Sequence, residues 1–239
     1  MAVPALVSVL PQGADVLDLC CGQGNVAAAA SAAGCCVTGL DFSAQMLAIA
    51  RERVPEVEFV EGDAQALPFE DKSFEAVTCG FGLMHVPDQE KALREIARVL
   101  RPGGVFAMTS WCGPARSPVF AAFYGIVRAH GAADVSLPDS PDFHQFTEAE
   151  TAAKLFAQAG LRFEGVTDVP CFWLLRQPEE LAEIFEKGAP RAGYLLSHQP
   201  EAHRLAIKSA LADHVRAHFA DGSGFRAPIP AALAVARKA

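Results

Sequence analysis

The run Val16-Leu17-Asp18-Leu19-Cys20-Cys21-Gly22-Gln23-Gly24-Asn25 constrains the fold more than any other part of the chain. An apolar stretch bearing one acid gives way at once to two glycines spaced G-x-G, and an alanine-rich stretch begins behind them. This pattern predicts a strand, a tight turn and a helix N-terminus. Gly22 and Gly24 open backbone angles closed to other residues and let a ligand approach the main chain. The helix behind them offers unpaired N–H groups and the positive end of its dipole. Two ligand classes suit such a turn. Gly22, Gly24 and Ala27 satisfy the dinucleotide spacing G-x-G-x-x-A. Asp18 places a negative charge just before the turn, which suits a ligand with an ammonium and a sulfonium better than a pyrophosphate.

The pattern that follows alternates. Short apolar segments at 16–19, 36–40, 57–60, 76–79 and 105–110 read as strands covered on both faces. Helices are predicted between them. The stretch 25–33 stops at Gly34, Ser43 caps 44–53, and Asp88 caps a helix with apolar positions Leu93, Ile96, Ala97 and Leu100. Pro102-Gly103-Gly104 ends that helix. Strands alternating with helices predict a parallel α/β sheet wrapped on both faces. From 112 to 145 the rhythm breaks around Pro114, Pro118, Pro138 and Pro141, with one helix expected at 119–130. So long a connection reads as a lid or binding element. Beyond it, Thr147 and Glu150 read as a capping box for a helix to about 158. A strand pair is expected at 161–169 and 171–175, or one long strand broken at Pro170, with helices at 179–187 and 201–219 and a last strand at 231–236. The expected organisation is a single domain over 1–239, with a core of about 14–111 plus 146–239 and a lid over 112–145.

Composition narrows the function classes. With 239 residues and 51% hydrophobic, the chain can bury a full core. A net charge of −8, without a dense Lys/Arg run, argues against nucleic-acid binding. No run approaches the roughly 18–20 apolar residues of a membrane helix, and residues 1–10 lack the basic start of a signal peptide. The seven cysteines include two adjacent pairs, Cys20-Cys21 and Cys35-Cys36, and read as free thiols of a cytoplasmic protein. No Cys/His spacing suggests a metal site. Nothing in the sequence sets an oligomeric state.

Open parallel sheets bind ligands outside the carboxyl ends of their strands. The first predicted strand ends at Asp18 and the second at Asp41, where an acid can accept bonds from a ribose diol. The third leads to Gly62-Asp63-Ala64, and the fourth ends at Cys79-Gly80 with Phe81 and His85 beyond. These segments, together with Gly39-Leu40-Asp41-Phe42-Ser43, Met46-Leu47, Glu61 to Phe69, Leu83 to Asp88 and Glu95 to Gly104, resemble the class I S-adenosylmethionine (SAM)-dependent methyltransferases. The nearest subgroup is the small-molecule enzymes that include the ubiquinone and menaquinone C-methyltransferases. The resemblance is strong over about 16–110 and generic afterwards. It implies a doubly wound, mostly parallel, seven-stranded Rossmann-like sheet with a helical lid. It also implies SAM as cofactor, S-adenosylhomocysteine as product and a small-molecule acceptor.

Carried over by position, the resemblance gives Asp18, Cys20 and the Gly22/Gly24 turn to the methionine portion of the cofactor. Asp41 takes the ribose, Phe42 or Met46 flanks the adenine, and Asp63 with the Ala64 amide reads the adenine edge. The Cys79 carbonyl, before Gly80, faces the ammonium. Glu75 stands where the family usually has Asp, at a position read as structural. Family members also usually carry more residues before the first strand. His85 lies near the expected transfer point, for proton handling or for packing. Trp111, Phe143 and His144 are candidates for the acceptor. Phe120, Phe123, Tyr124 and Phe146 add to an aromatic segment that leans toward an apolar or aromatic acceptor. O-, N- and C-methylation all remain open. Two rivals stand beside this reading: a SAM-binding protein without turnover, and a nicotinamide-dependent reductase.

Overall fold

The computed structural model describes residues 2–138 and 141–239. In chain order the elements begin with α1 (Ala2–Val7), β1 (Asp15–Leu19), α2 (Asn25–Ala32), β2 (Cys36–Asp41), α3 (Ala44–Arg53), β3 (Glu58–Glu61) and β4 (Phe74–Gly80). They continue with α4 (Gln89–Val99), β5 (Leu100–Trp111), α5 (Pro118–His130), α6 (Ala149–Gln158), β6 (Leu161–Val169) and β7 (Phe172–Leu175). The last are α7 (Glu180–Gly188), α8 (Pro190–Ser197), α9 (Glu201–His218), β8 (Ala220–Asp221), β9 (Gly224–Pro228) and β10 (Ala231–Lys238). No described helix is long and apolar enough to cross a membrane.

Two compact units form. One comprises Met1–Trp111, Pro141–Val169 and Ala231–Ala239; the other comprises Cys112–Ser140 and Pro170–Pro230. This grouping differs from the division expected from sequence. Residues 170–230 join 112–140 instead of the sheet, and 141–145 stay with the sheet. Residues 139 and 140 of the expected lid lie outside the described residues.

The first unit holds a seven-stranded sheet in the order β3-β2-β1-β4-β5-β10-β6. The pairs among β1 to β5 are parallel, and β10 runs antiparallel to both β5 and β6. β1 sits between neighbours with helices on both faces, so Val16, Leu17, Asp18 and Leu19 are all buried. That is why its sequence reads as a run and not as an alternation. Ser43 and Asp88 cap α3 and α4 as expected, accepting from the Met46 and Lys91 amides at 3.3 and 2.9 Å. α4 buries Ala92, Leu93, Ile96 and Ala97 against the sheet.

Charged side chains tie the loops that follow the strands. Glu95 accepts from the Leu67 amide at 2.8 Å. Arg98 donates to the Phe69 and Leu67 carbonyls and to Asp71. The adjoining guanidinium holds the Glu95 carboxyl below its ordinary range. The segment before β4 is thus pinned to α4. Glu75 accepts from the Asp15 amide at 3.0 Å and lies 3.6 Å from Arg101.

Two local expectations are corrected. Thr147 does not cap α6: its hydroxyl donates to the His144 carbonyl at 2.8 Å within a short 3₁₀ turn, and Glu148 stands at the cap position, its side chain making no capping bond to the helix. β6 and β7 do not pair with each other. β6 is an edge of the large sheet beside β10, whereas β7 joins the small sheet of the second unit. That sheet has the antiparallel order β7-β9-β8. Phe123 packs on Phe185 at 4.2 Å between ring centroids, and Trp173 meets Phe185 edge-on at 5.6 Å.

Candidate functional site

The carboxyl ends of β1, β4 and β5 open on a cavity of about 390 Å³ in the first unit. That is within the usual range for small-molecule sites. Its lining includes Asp18, Cys20, Gly22, Met46, Gly80 and Thr109. Gln23, Asn25, Val26 and Phe81 add to it, and Ala2, Val3 and Leu6 of α1 close one side.

The two acids organise the glycine turn. Asp18 is 1% exposed; it accepts from the Ala27 amide and from the Thr78 hydroxyl, each at 3.0 Å. It therefore caps the first turn of α2 from the neighbouring strand while also facing the cavity. Burial pushes its carboxyl up to about 7, the nearby Asp41 charge adds to this, and the Thr78 and Ala27 bonds oppose it. Asp41 accepts from the Gly22 amide and from the Ser43 amide, each at 2.9 Å. A carboxylate has about four lone-pair sites, so these two bonds leave Asp41 capacity for a diol.

The two glycines do different work. Gly22 has φ +53°, and a Cβ there would meet nothing within 4 Å, because that side is the cavity. Gly24 has φ +78°, and a Cβ there would lie 3.1 Å from the Phe59 ring and 3.4 Å from Ala50. Gly24 thus serves packing beneath the turn and is not among the cavity-lining residues. Cys20 lines the cavity in a left-handed conformation, φ 54°. A hydrogen bond with Cys79, with burial second, holds the Cys20 thiol well above its ordinary range. Cys21 is raised by burial. A nucleophilic role needs the thiolate, and these surroundings disfavour it.

The adenine-side candidates are spread more widely. Phe42 is 80% exposed and Met46 is 40% exposed, both beside the end of β2. Ala64 is buried. Asp63 turns onto its own loop, accepting from the Gln65 amide and side chain at 2.8 and 3.0 Å, and these bonds hold it below its ordinary range. It does not line the cavity.

On the outer side, Phe81 connects the cavity to an aromatic group. Its ring stacks on Trp111 at 4.0 Å between centroids and 19° between planes. The Trp111 carbonyl is 2.8 Å from His144 Nδ1. A carbonyl can only accept, so Nδ1 carries the hydrogen and a neutral His144 ring has its lone pair on Nε2. Phe143 meets both His144 and His85 edge-on, each at 5.2 Å. The structure thus gathers Trp111, Phe143, His144 and His85 into one cluster, which lies outside the cavity lining and meets it through Phe81. The wider aromatic expectation is corrected. Phe120 and Phe123 are buried in the second unit's own core, and Phe146 packs with Phe156 in the core of the first.

α1 and Thr109 line the cavity without belonging to any of the sequence motifs. α1 has six residues and includes Pro4, so it has no readable period. Thr109 sits in an otherwise mostly apolar strand, where a hydroxyl at the carboxyl end is itself a signal.

Residues 17–108 match the family described as a methyltransferase domain. The chain is 39% identical over 176 residues to a 2-phytyl-1,4-naphtoquinone methyltransferase of Thermosynechococcus vestitus, covering 67% of this chain and 77% of that protein. It is 46% identical over 121 residues to a demethylmenaquinone methyltransferase of Staphylococcus aureus, covering 48% of this chain and 50% of the relative. It thus matches about half the length of the staphylococcal protein. Among solved structures, a Bacillus halodurans protein described as a methyltransferase superposes with TM-score 0.65 at 23% identity, over 99% of this chain and 98% of that one.

Proposed function

The chain belongs to the class I SAM-dependent methyltransferases, and on that premise we propose that its acceptor is an apolar aromatic ring of the quinone type, methylated at carbon. The observation that supports this most is the aromatic cluster joined to the cavity through the Phe81–Trp111 stack. The names of the two quinone-methylating relatives point the same way.

The cofactor, when bound, supplies a methyl group on a sulfonium already activated for in-line displacement. The protein's task is therefore alignment and exclusion of water, which together can lower a barrier by about 7–11 kcal/mol. In this reading Asp41 holds the ribose, and Phe42 and Met46 flank the adenine, with the Asp63–Ala64 loop at its edge. Asp18, Cys20 and the Gly22/Gly24 turn hold the methionine portion, and the Cys79 carbonyl with Gly80 faces the ammonium. Trp111 and Phe143 provide flat apolar surface for the ring. Carbon methylation of a reduced, hydroxylated ring also requires a proton to leave. His144 Nε2 and His85 are the bases that would accept it.

Asp41→Ala is expected to weaken binding of the cofactor by about 1–3 kcal/mol, the cost of losing charge-assisted hydrogen bonds. Calorimetry on the folded variant measures this, and unchanged affinity removes Asp41 from the cofactor's reach. The acceptor is tested by supplying SAM with a reduced demethylated naphthoquinone, a simple phenol and an alkyl amine in parallel. Mass spectrometry should find the new methyl on a ring carbon of the first. Turnover only of the phenol or the amine refutes the quinone reading. Binding of S-adenosylhomocysteine with no turnover of any acceptor favours a binding protein.

A further inference from the structure

Thr109 is fully buried, and its hydroxyl has no hydrogen-bond partner among the described residues. Buried hydroxyls are normally paired, since desolvation without compensation is unfavourable. The contrast with its neighbour on the same sheet face is direct. Thr78 also ends its side chain in a buried hydroxyl, and that hydroxyl donates to Asp18 at 3.0 Å. Thr109 lies one strand over, in register with Gly80, and it lines the cavity. Gly80 has no side chain between the two, and Val26 and Leu6 stand over it from α2 and α1. Thr109 is thus a lining residue of the cavity whose buried hydroxyl is left without a partner.

We propose that the Thr109 hydroxyl binds the carboxylate at the amino-acid end of the cofactor, an inference that rests on the cofactor reading given above. The strand order supports the placement. With adenine beside β3, ribose beside β2 and the glycine turn after β1, the remaining end of the ligand continues toward β4 and β5. Charge sorts that end: the ammonium is drawn to Asp18, and the carboxylate is repelled by it and turned toward the side where Thr109 can donate. Thr109 is a binding residue here, and the group it recognises is absent from any truncated thioether nucleoside.

Calorimetric titration of wild type, Thr109→Val and Thr109→Ser with S-adenosylhomocysteine and with 5′-methylthioadenosine tests this. The second ligand keeps the nucleoside and lacks the amino-acid end. Thr109→Val should weaken S-adenosylhomocysteine about tenfold or more, as expected for a hydrogen bond to a charged group, and leave 5′-methylthioadenosine unchanged. Valine keeps the shape and removes a buried unsatisfied group, so the ligand-free melting temperature should hold or rise. Thr109→Ser should bind as wild type does. Equal S-adenosylhomocysteine affinity in Thr109→Val overturns the proposal. So does an equal loss for both ligands, or a loss in Thr109→Ser that matches the valine variant. Failure of the wild type to bind either ligand overturns the cofactor placement itself, a separate result.

Discussion

Gly22→Val is expected to abolish measurable binding of S-adenosylhomocysteine, by more than about 100-fold, while the protein keeps its secondary structure. Two effects combine. Gly22 has φ +53°, a region where a β-branched residue is an outlier and strain costs on the order of 1–3 kcal/mol. Its added carbons would also project into the cavity and not into the fold, since nothing lies within 4 Å of the Cβ position. Gly24 provides the control. There a Cβ meets Phe59 at 3.1 Å, so Gly24→Ala should lower the melting temperature directly. Circular dichroism and calorimetry on the two variants separate a lost ligand site from a lost core. Parent-like affinity in Gly22→Val would mean the glycine turn does not cradle the cofactor.

That contrast between two glycines of one motif shows where sequence is readable and where it is not. The strands and helices from β1 to β5 were legible because each signal is local. β1 is an unbroken apolar run, and the side chains of Ser43 and Asp88 cap helices within three residues of themselves. The arrangement of β6, β7 and β10 was not legible, because pairing partners are decided across the chain: β10 enters between β5 and β6 from the far C-terminus. α1 is too short to be stable alone, and its helical state follows from the burial of Ala2 and Leu6. Thr147 had the right spacing for a capping box, yet its hydroxyl found the His144 carbonyl first. In the site, the motif residues Asp18, Cys20, Gly22, Met46 and Gly80 line one cavity, while Gly24, Asp41, Phe42, Asp63, Ala64 and Cys79 are outside its lining. The phenylalanines of 112–145 were not separable by composition, since a core aromatic and a pocket aromatic look alike until burial is known. Phe123 is buried completely, whereas Phe143 reaches His85.

Asp18 leads to the second large effect, a pH dependence whose direction follows from its surroundings. Its carboxyl is pushed from 3.8 up to about 7, chiefly by burial. The folded value lies above the unfolded one, so the protonated group contributes stability that is fully present below about pH 4 and is lost as pH rises through about 7. The ligand-free protein should therefore lose melting temperature across that window on Asp18's account, and Asp18→Asn should flatten this part of the profile. Binding runs the other way. A ligand whose ammonium lies beside Asp18 favours the ionised form, so below about pH 7 it must displace a proton to bind. Affinity for S-adenosylhomocysteine should then fall by up to about tenfold per pH unit as pH drops below 7, and level off above it. Titrations from about pH 5.5 to about pH 8.5 measure this. Asp18→Asn should bind more weakly at the alkaline end and show little slope. 5′-Methylthioadenosine, which has no ammonium, should show little slope with the wild type. A flat profile for S-adenosylhomocysteine with the wild type, together with unchanged affinity in Asp18→Asn, would confine Asp18 to capping α2 through the Ala27 amide.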